Sequence, residues 1–226
     1  MNHNYEVEIK VLLGSEENKN AFKKNLEETV EKLEAGAQTS QLNHYFIGGD
    51  FAKLQKALEG KISPERVDSF TNITSLSGKH SVRTRYVDGW TILVIKLSVD
   101  DTTSSNGIQR LEWEEVFPED HIDDVDALLL ECDFAYQAKW SREREEYRTD
   151  NITVCIDKNA GYGYLAEFEM VVDSAEKSQM AESNLRGMIA RLGLQELDQD
   201  RLARMFAHYN ENWRDYYGTD KTFDIK

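Results

Sequence analysis

The order of apolar and polar residues divides the chain into segments with two different periods. YEVEIKVLLG (5–14) alternates, with Glu6, Glu8 and Lys10 on one side and Val7, Ile9 and Val11 on the other. This is the period-2 pattern of a strand with one apolar and one charged face. SEENKNAFKKNLEETVEKLEAGA (15–37) changes to a helical period, with Phe22, Leu26, Val30 and Leu33 on one face and Ser15 as a start signal. QLNHYFIGG (41–49) is predicted to be a strand, and DFAKLQKALEGK (50–61) a short helix opened by Asp50 and ended near Gly60. Residues 61–78 contain Pro64 and many Ser and Thr, and read as a connection or insertion.

From residue 80 the pattern is mainly that of strands. HSVRTRYVDGWTILVIKLSV (80–99) is a hairpin with Asp88-Gly89 at its turn. DDTTSSNG (100–107) is a loop, IQRLEWEEVF (108–117) a strand and DHIDDVDALLLECDF (120–134) a helix. Residues 139–172 read as three more strands joined by turns, and the tail, 174–217, as two helices separated by LGLQELDQD. About eight strands in hairpin order with several helices predict an antiparallel α+β domain, with a closed barrel as one arrangement. The chain has no long-period repeat and no low-complexity linker. It is therefore read as a single domain, 1–226, with residues 174–217 as its C-terminal helices.

Composition narrows the partners. The 226 residues are 40% hydrophobic and 31% charged with a mean hydropathy of -0.63, which describes a polar globular chain large enough for a sizeable core. No run approaches the roughly 18 apolar residues of a membrane span, and the start of the chain has no apolar signal region. Lys and Arg total 27 against 42 Asp and Glu, a net charge of -15. Such a chain is repelled by nucleic acids and anionic membranes unless its bases are concentrated in one place. Neither class of partner is expected. Cys132 and Cys155 form no CxxC pair, which suits a reduced, cytoplasmic setting and makes the sequons at Asn72 and Asn151 coincidental.

Five predicted strands place two like charges at i and i+2: Glu6/Glu8, Arg83/Arg85, Glu112/Glu114, Arg142/Arg144 and Glu167/Glu169. Each pair lies on one face of its strand, where like charges about 4 Å apart repel by roughly 4 kcal/mol at an effective dielectric of 20. On a wet face the repulsion is small, and the pattern then describes solvated edges or cross-strand partners. Inside a barrel the same pattern requires cations for the acids and an anion for the bases. Carboxylates opposite arginines and lysines suit a magnesium-bound polyphosphate, since Mg²⁺ takes oxygen ligands and arginine forks onto phosphate.

The ordered series Glu6-Val-Glu8-Ile-Lys10, Arg83-Thr-Arg85, Lys96, Arg110-Leu-Glu112-Trp-Glu114, Arg142-Glu-Arg144, Asp157 and Glu167-Phe-Glu169 resembles the CYTH superfamily of triphosphate tunnel metalloenzymes, whose hallmark is an N-terminal ExExK strand. The resemblance runs from residue 5 to about 172. It implies an eight-stranded antiparallel β-barrel, open as a charged tunnel, that acts on a small-molecule triphosphate with Mg²⁺ or Mn²⁺. It assigns the metals to Glu6, Glu8, Glu167 and Glu169, with Glu112, Glu114 and Asp157 as further ligands or as acids that support the ligands from behind. It assigns the phosphates to Lys10, Arg83, Arg85, Lys96, Arg142 and Arg144, and makes Glu6, Glu8, Lys10 and Glu169 the catalytic set. Arg142 stands where relatives often carry Lys.

The family's reactions include hydrolysis of inorganic, thiamine and nucleoside triphosphates and, in class IV adenylyl cyclases, formation of cyclic AMP. Those cyclases are expected to carry a His-Phe pair six residues before the first motif glutamate. Here the chain begins too late for that, and His3 is followed by Asn4. A metal-dependent triphosphatase is therefore the first reading and a cyclase the second. A non-catalytic polyphosphate sensor is the third, and it has no use for so many carboxylates. The insertion near residues 50–80 departs from compact members.

Other motifs carry less. SLSGKHS has Ile73 where a P-loop needs its first glycine, and NAGYGYL is a turn between strands. The five histidines show no zinc spacing, and His80, which precedes the arginine strand, is expected at the surface, with the tunnel mouth as the alternative. Trp90, Trp113, Trp140 and Trp213 read as core or rim packing, with Trp113 pointing outward beneath a helix if Glu112 and Glu114 point in. The aromatic segment RMFAHYNENWRDYYG is expected to close or flank the tunnel, or to make a homodimer contact.

Overall fold

The computed structural model describes residues 5–98, 110–149 and 151–226. His3-Asn4, the predicted loop 100–107 and the predicted start of a strand at Ile108 lie outside the described residues. The elements follow in the order β1 (Tyr5–Gly14), α1 (Glu16–Thr29), β2 (Glu34–Gly48), α2 (Phe51–Leu58), α3 (Pro64–Ser75), β3 (Lys79–Val87), β4 (Trp90–Ser98), β5 (Arg110–Phe117), α4 (Ile122–Glu131), β6 (Phe134–Arg148), β7 (Thr153–Asn159), β8 (Gly163–Val172), α5 (Ser178–Arg191) and α6 (Gln199–Tyr216).

All neighbouring strands are antiparallel, and they close into a barrel in the order β1-β5-β4-β3-β2-β6-β7-β8. Most seams are long; β1 and β8, for example, pair from Tyr5↔Val172 to Gly14↔Tyr164. Among the described residues β1 and β5 pair at Glu6↔Arg110. At the β3–β4 hairpin, Asp88 and Gly89 both take positive φ, 51° and 87°, the backbone that a two-residue hairpin turn of matching twist requires.

Because side chains alternate, the outer face of the barrel carries the apolar residues. Val7, Ile9, Val11 and Leu13 of β1 and Phe168 of β8 are buried against Phe22 and Leu26 of α1 and Leu185, Met188 and Ile189 of α5. On another side α2, α3 and α4 cover Val82, Leu93, Ile95 and Leu97, with Leu54, Leu58, Phe70, Ile73 and Leu129 facing them. Trp113 packs outward as expected, edge-on to Phe70 of α3 at 5.3 Å, with the Arg66 guanidinium 5.1 Å over its ring.

Several boundaries differ from the sequence reading, among them the start of β2, which lies at Glu34 rather than at the predicted Gln41. The first helix stops at Thr29 instead of running on to residue 37, because Val30 is extended (φ -102°, ψ 112°) and Lys32 is left-handed (φ 54°), which turns the chain into β2. Val30 and Leu33 keep helical spacing, yet both reach the same core cluster from outside the helix. The predicted connection at 61–78 contains the helix α3. Pro64 stands at its first turn, where a missing N–H costs nothing, and Thr71 and Thr74 donate to the carbonyls of Val67 and Phe70 rather than breaking it. β6 begins at Phe134, five residues before the predicted Lys139.

At one end the inward positions turn apolar. Leu12, Ala138, Trp140 and Leu165 join Leu202, Met205 and Tyr209 of α6 in a third core cluster. Trp140 stacks on Tyr209 with centroids 3.7 Å apart, and Tyr209 donates its hydroxyl proton to the Lys139 carbonyl at 2.8 Å. The aromatic C-terminal helix thus flanks this end of the barrel, as its composition predicted. Its last turn is tied down outside the barrel by His44, whose ring nitrogens lie 2.7 Å from Asp126 and 2.9 Å from the Tyr217 hydroxyl.

Candidate functional site

The inner face of the barrel encloses a cavity of about 610 Å³. Twelve of the thirteen residues singled out from the sequence line it: Glu6, Glu8, Lys10, Arg83, Arg85, Lys96, Glu112, Glu114, Arg142, Arg144, Glu167 and Glu169. The ladder registers explain the gathering. Glu8 lies opposite Glu169 and Lys10 opposite Glu167 on β1–β8, while Lys96 lies opposite Glu112 on β4–β5. Alternation then sends every second residue of each strand into the same space.

The carboxylates and cations are interleaved. Lys96 Nζ bridges Glu6 of β1 at 2.6 Å and Glu112 of β5 at 3.3 Å. Lys10 Nζ bridges Glu8 at 2.8 Å and Glu167 at 3.3 Å. Arg144 reaches Glu167 and lies 3.9 Å from Glu169, and Arg85 lies 3.3 Å from Glu114. Burial alone would push Glu167 up, but Lys10 and Arg144 beside it hold it well below the usual carboxylate range. Lys96 is raised: burial opposes its charge, and the carboxylates of Glu6, Glu112 and Glu8 together outweigh it.

Asp157 is the exception to the gathering. It does not line the cavity, and its side chain is 0% exposed. One oxygen accepts from Arg144 Nε at 2.7 Å, and the other from Arg144 Nη2 at 2.7 Å and Arg142 Nη1 at 3.0 Å. Its lone pairs are therefore used by two arginines, and it sets their direction from behind. Gln41 does the same for Arg142, accepting from Nε at 3.0 Å and Nη2 at 2.7 Å.

One trio has the donor chemistry of a metal site. Carboxylate oxygens of Glu6, Glu8 and Glu169 lie within 4.8 Å of one another. Three hard oxygen donors at that spacing fit Mg²⁺ or Mn²⁺, which leave further positions for water and phosphate. Burial and the neighbouring Glu167 and Glu6 push Glu169 up to about 8, the direction expected where carboxylates crowd. Glu112 is also raised, by burial, against the pull of Lys96 and Arg83. Glu167 is instead engaged by cations.

The cation wall has the complementary property. Arg83 is buried, yet its Nε has no hydrogen-bond acceptor among the described residues. A buried guanidinium donor left over on a cavity wall suits an anionic oxygen.

Sequence reasoning missed several lining residues. Tyr45 is on the cavity wall, and it follows Gln41 and Asn43 at period 2 in β2, the signal that would have found it. Leu202 and Phe206 of α6 reach the cavity from the flanking helix. His80 lines it too, while its Nε2 lies 3.0 Å from the Ile73 carbonyl of α3. Cys132 and Cys155 are both buried and free. Among the described residues no helix is long and apolar enough to cross a membrane.

Known proteins give this geometry a setting. A family profile for the CYTH domain matches residues 71–203, more than half of the chain. No curated protein sequence matches. Similar solved structures include the PH1819 protein of Pyrococcus horikoshii OT3, at 20% identity over 86% of this chain and 94% of that chain, with a TM-score of 0.60. The PH1012 protein of the same organism is 16% identical over 84% of this chain and 91% of that chain, also at 0.60. A proposed adenylate cyclase from Vibrio parahaemolyticus is 12% identical over 90% of this chain and 98% of that chain, again at 0.60. At these identities the structural likeness speaks to the fold alone. With the sequence match covering most of the barrel and the charged strands lining its interior, the chain belongs to the CYTH family.

Proposed function

We propose that the chain hydrolyses a triphosphate-bearing small molecule with the help of Mg²⁺ or Mn²⁺. The observation that carries this reading is the juxtaposition, in one cavity, of the Glu6–Glu8–Glu169 trio and a wall of arginine and lysine side chains. Glu6, Glu8 and Glu169 would hold the cation. Bound there, Mg²⁺ or Mn²⁺ supplies charge neutralisation at phosphate oxygens and acidifies water for attack.

The remaining work falls to the chain's own groups. Lys10, Arg83, Arg85, Lys96, Arg142 and Arg144 grip the phosphate oxygens, spreading positive charge over the transferring group and orienting it for in-line displacement. Asp157 and Gln41 hold Arg142 and Arg144 in place before substrate arrives. Glu167 and Glu112 tie Lys10 and Lys96, so these lysines are ordered in the resting enzyme and exchange a carboxylate for a phosphate on binding. The walls of the barrel keep bulk water from the charges, which strengthens each of these contacts.

Product analysis on tripolyphosphate, thiamine triphosphate and ATP, with and without Mg²⁺ or Mn²⁺, tests the reading. Metal-dependent release of orthophosphate supports it. Cyclic AMP with pyrophosphate would establish the cyclase alternative, and binding without any product the sensor alternative.

A further inference from the structure

We infer that Tyr45 is a further substrate-binding residue: its hydroxyl, held by Arg83, donates its proton in a hydrogen bond to a phosphate oxygen of the bound substrate. The inference rests on the triphosphate reading above and adds to it a donor that neither the charged motifs nor the ion pairs include.

Tyr45 stands on β2 directly opposite Arg83 in the β2–β3 register, and both line the cavity. Its hydroxyl oxygen accepts a hydrogen bond from Arg83 Nη1 at 2.8 Å, and the guanidinium carbon lies 5.6 Å from the centroid of its ring. An edge-on contact with Trp140, centroids 6.5 Å apart, supports the ring from another side. The phenol is thus fixed in position before any ligand binds.

A phenol both accepts and donates. Here the accepting role is filled by Arg83, while the O–H proton has no acceptor among the described residues. The same is true of Arg83 Nε. Two unspent donors on paired residues, on the wall that holds Lys96 and Arg142, call for an acceptor that carries negative charge and comes from outside the protein. A phosphate oxygen meets both conditions. Burial pushes the phenol up, but the charges of Arg83, Arg142 and Lys96 with the Arg83 hydrogen bond together hold it below its ordinary range, which makes its proton a stronger hydrogen-bond donor.

The test uses the full chain, Mg²⁺ and imidotriphosphate, whose P–N–P links resist hydrolysis. Tyr45→Phe removes only the hydroxyl. Calorimetry is expected to show affinity for imidotriphosphate about 10- to 100-fold weaker in Y45F, the range for a hydrogen bond to a charged group. Mn²⁺ binding measured by electron paramagnetic resonance should be unchanged. Wild-type affinity in Y45F would overturn the role of Tyr45 and leave the triphosphate reading standing. Failure of the wild type itself to bind imidotriphosphate would overturn both. A readout independent of the variant's folding comes from wild-type protein labelled at tyrosine ¹³Cζ. One tyrosine resonance should move when imidotriphosphate is added, and a spectrum in which none moves overturns the proposal.

Discussion

Asp157 Oδ1 lies 2.7 Å from Arg144 Nε at a point where the aspartate is fully buried and the arginine faces the cavity. The contact joins the interior of the protein wall to its working surface. Asp157 does not line the cavity, and both of its oxygens accept from arginines, Oδ2 from Arg142 as well as Arg144. The three hydrogen bonds fix the direction of two guanidinium groups.

Asp157→Asn removes the charge that both arginines share while keeping the shape. Breaking a buried pair from one side costs on the order of 3–5 kcal/mol. For a domain of this size that lowers Tm by roughly 6–20 °C. The Michaelis constant for the preferred triphosphate should rise more than turnover falls, because the arginines are loosened rather than removed. Thermal melting and steady-state kinetics check this, and an unchanged KM would deny Asp157 its positioning role.

Glu6→Gln and Glu169→Gln should each abolish turnover while the fold persists. Loss of a partner that merely orients a metal ligand costs about 10- to 100-fold, and loss of a ligand itself costs more. Circular dichroism should match the wild type in both variants. Full metal-dependent activity in either would contradict the assignment of the trio.

The pH behaviour of the metal-free protein follows from Glu169. Its pKa is raised to about 8 from an ordinary value near 4.5, chiefly by burial and by Glu167. The folded state therefore binds this proton more tightly than the unfolded state does. The resulting stabilisation is fully present below about 4.5 and is lost as pH rises through 8. Glu169→Gln mimics the protonated acid. In the presence of a chelator, its Tm should gain on that of the wild type as pH rises from 5 to about 9. Melting curves across that range give the answer, and a constant difference would mean that Glu169 is not perturbed.

Phe168 stands between Glu167 and Glu169 and points the opposite way, against Phe22 at a ring distance of 6.0 Å. Phe168→Ala should cost about 3–5 kcal/mol of stability. Well below its melting point the variant should still bind Mn²⁺. Neighbouring residues thus have opposite consequences, one for the core and two for the cavity. Loss of Mn²⁺ binding in a folded Phe168→Ala protein would contradict that division.

Much of this was legible in the sequence because a strand has a period of two. The like-charged pairs reported the inner face of the barrel, and the residues between them reported the outer face. Val7 and Ile9 are buried under helices while Glu6 and Glu8 line the cavity. What one strand left ambiguous, between a wet face and a tunnel, five strands of complementary sign tipped only slightly toward the tunnel, and the resemblance of the ordered series carried the reading further. Less could be read where local pattern and tertiary packing diverge. Val30 and Leu33 continue the helical phase but reach the core from a turn, and α3 is rich in Ser and Thr whose hydroxyls fold back onto its own carbonyls. The division of labour among the acids was not legible at all. Spacing cannot tell Glu169, which belongs to the carboxylate trio, from Glu167, which Lys10 and Arg144 engage, because the difference lies in cross-strand neighbours.

The central claim is that the barrel interior binds a triphosphate and a divalent cation at opposite groups of its lining. A crystal structure with Mn²⁺ and imidotriphosphate, with the manganese located by anomalous scattering, tests it most directly. The account predicts a manganese peak among Glu6, Glu8 and Glu169, with the phosphates against Lys10, Arg83, Arg142 and Arg144. A triphosphate bound outside the barrel, or manganese held by other residues, would contradict it.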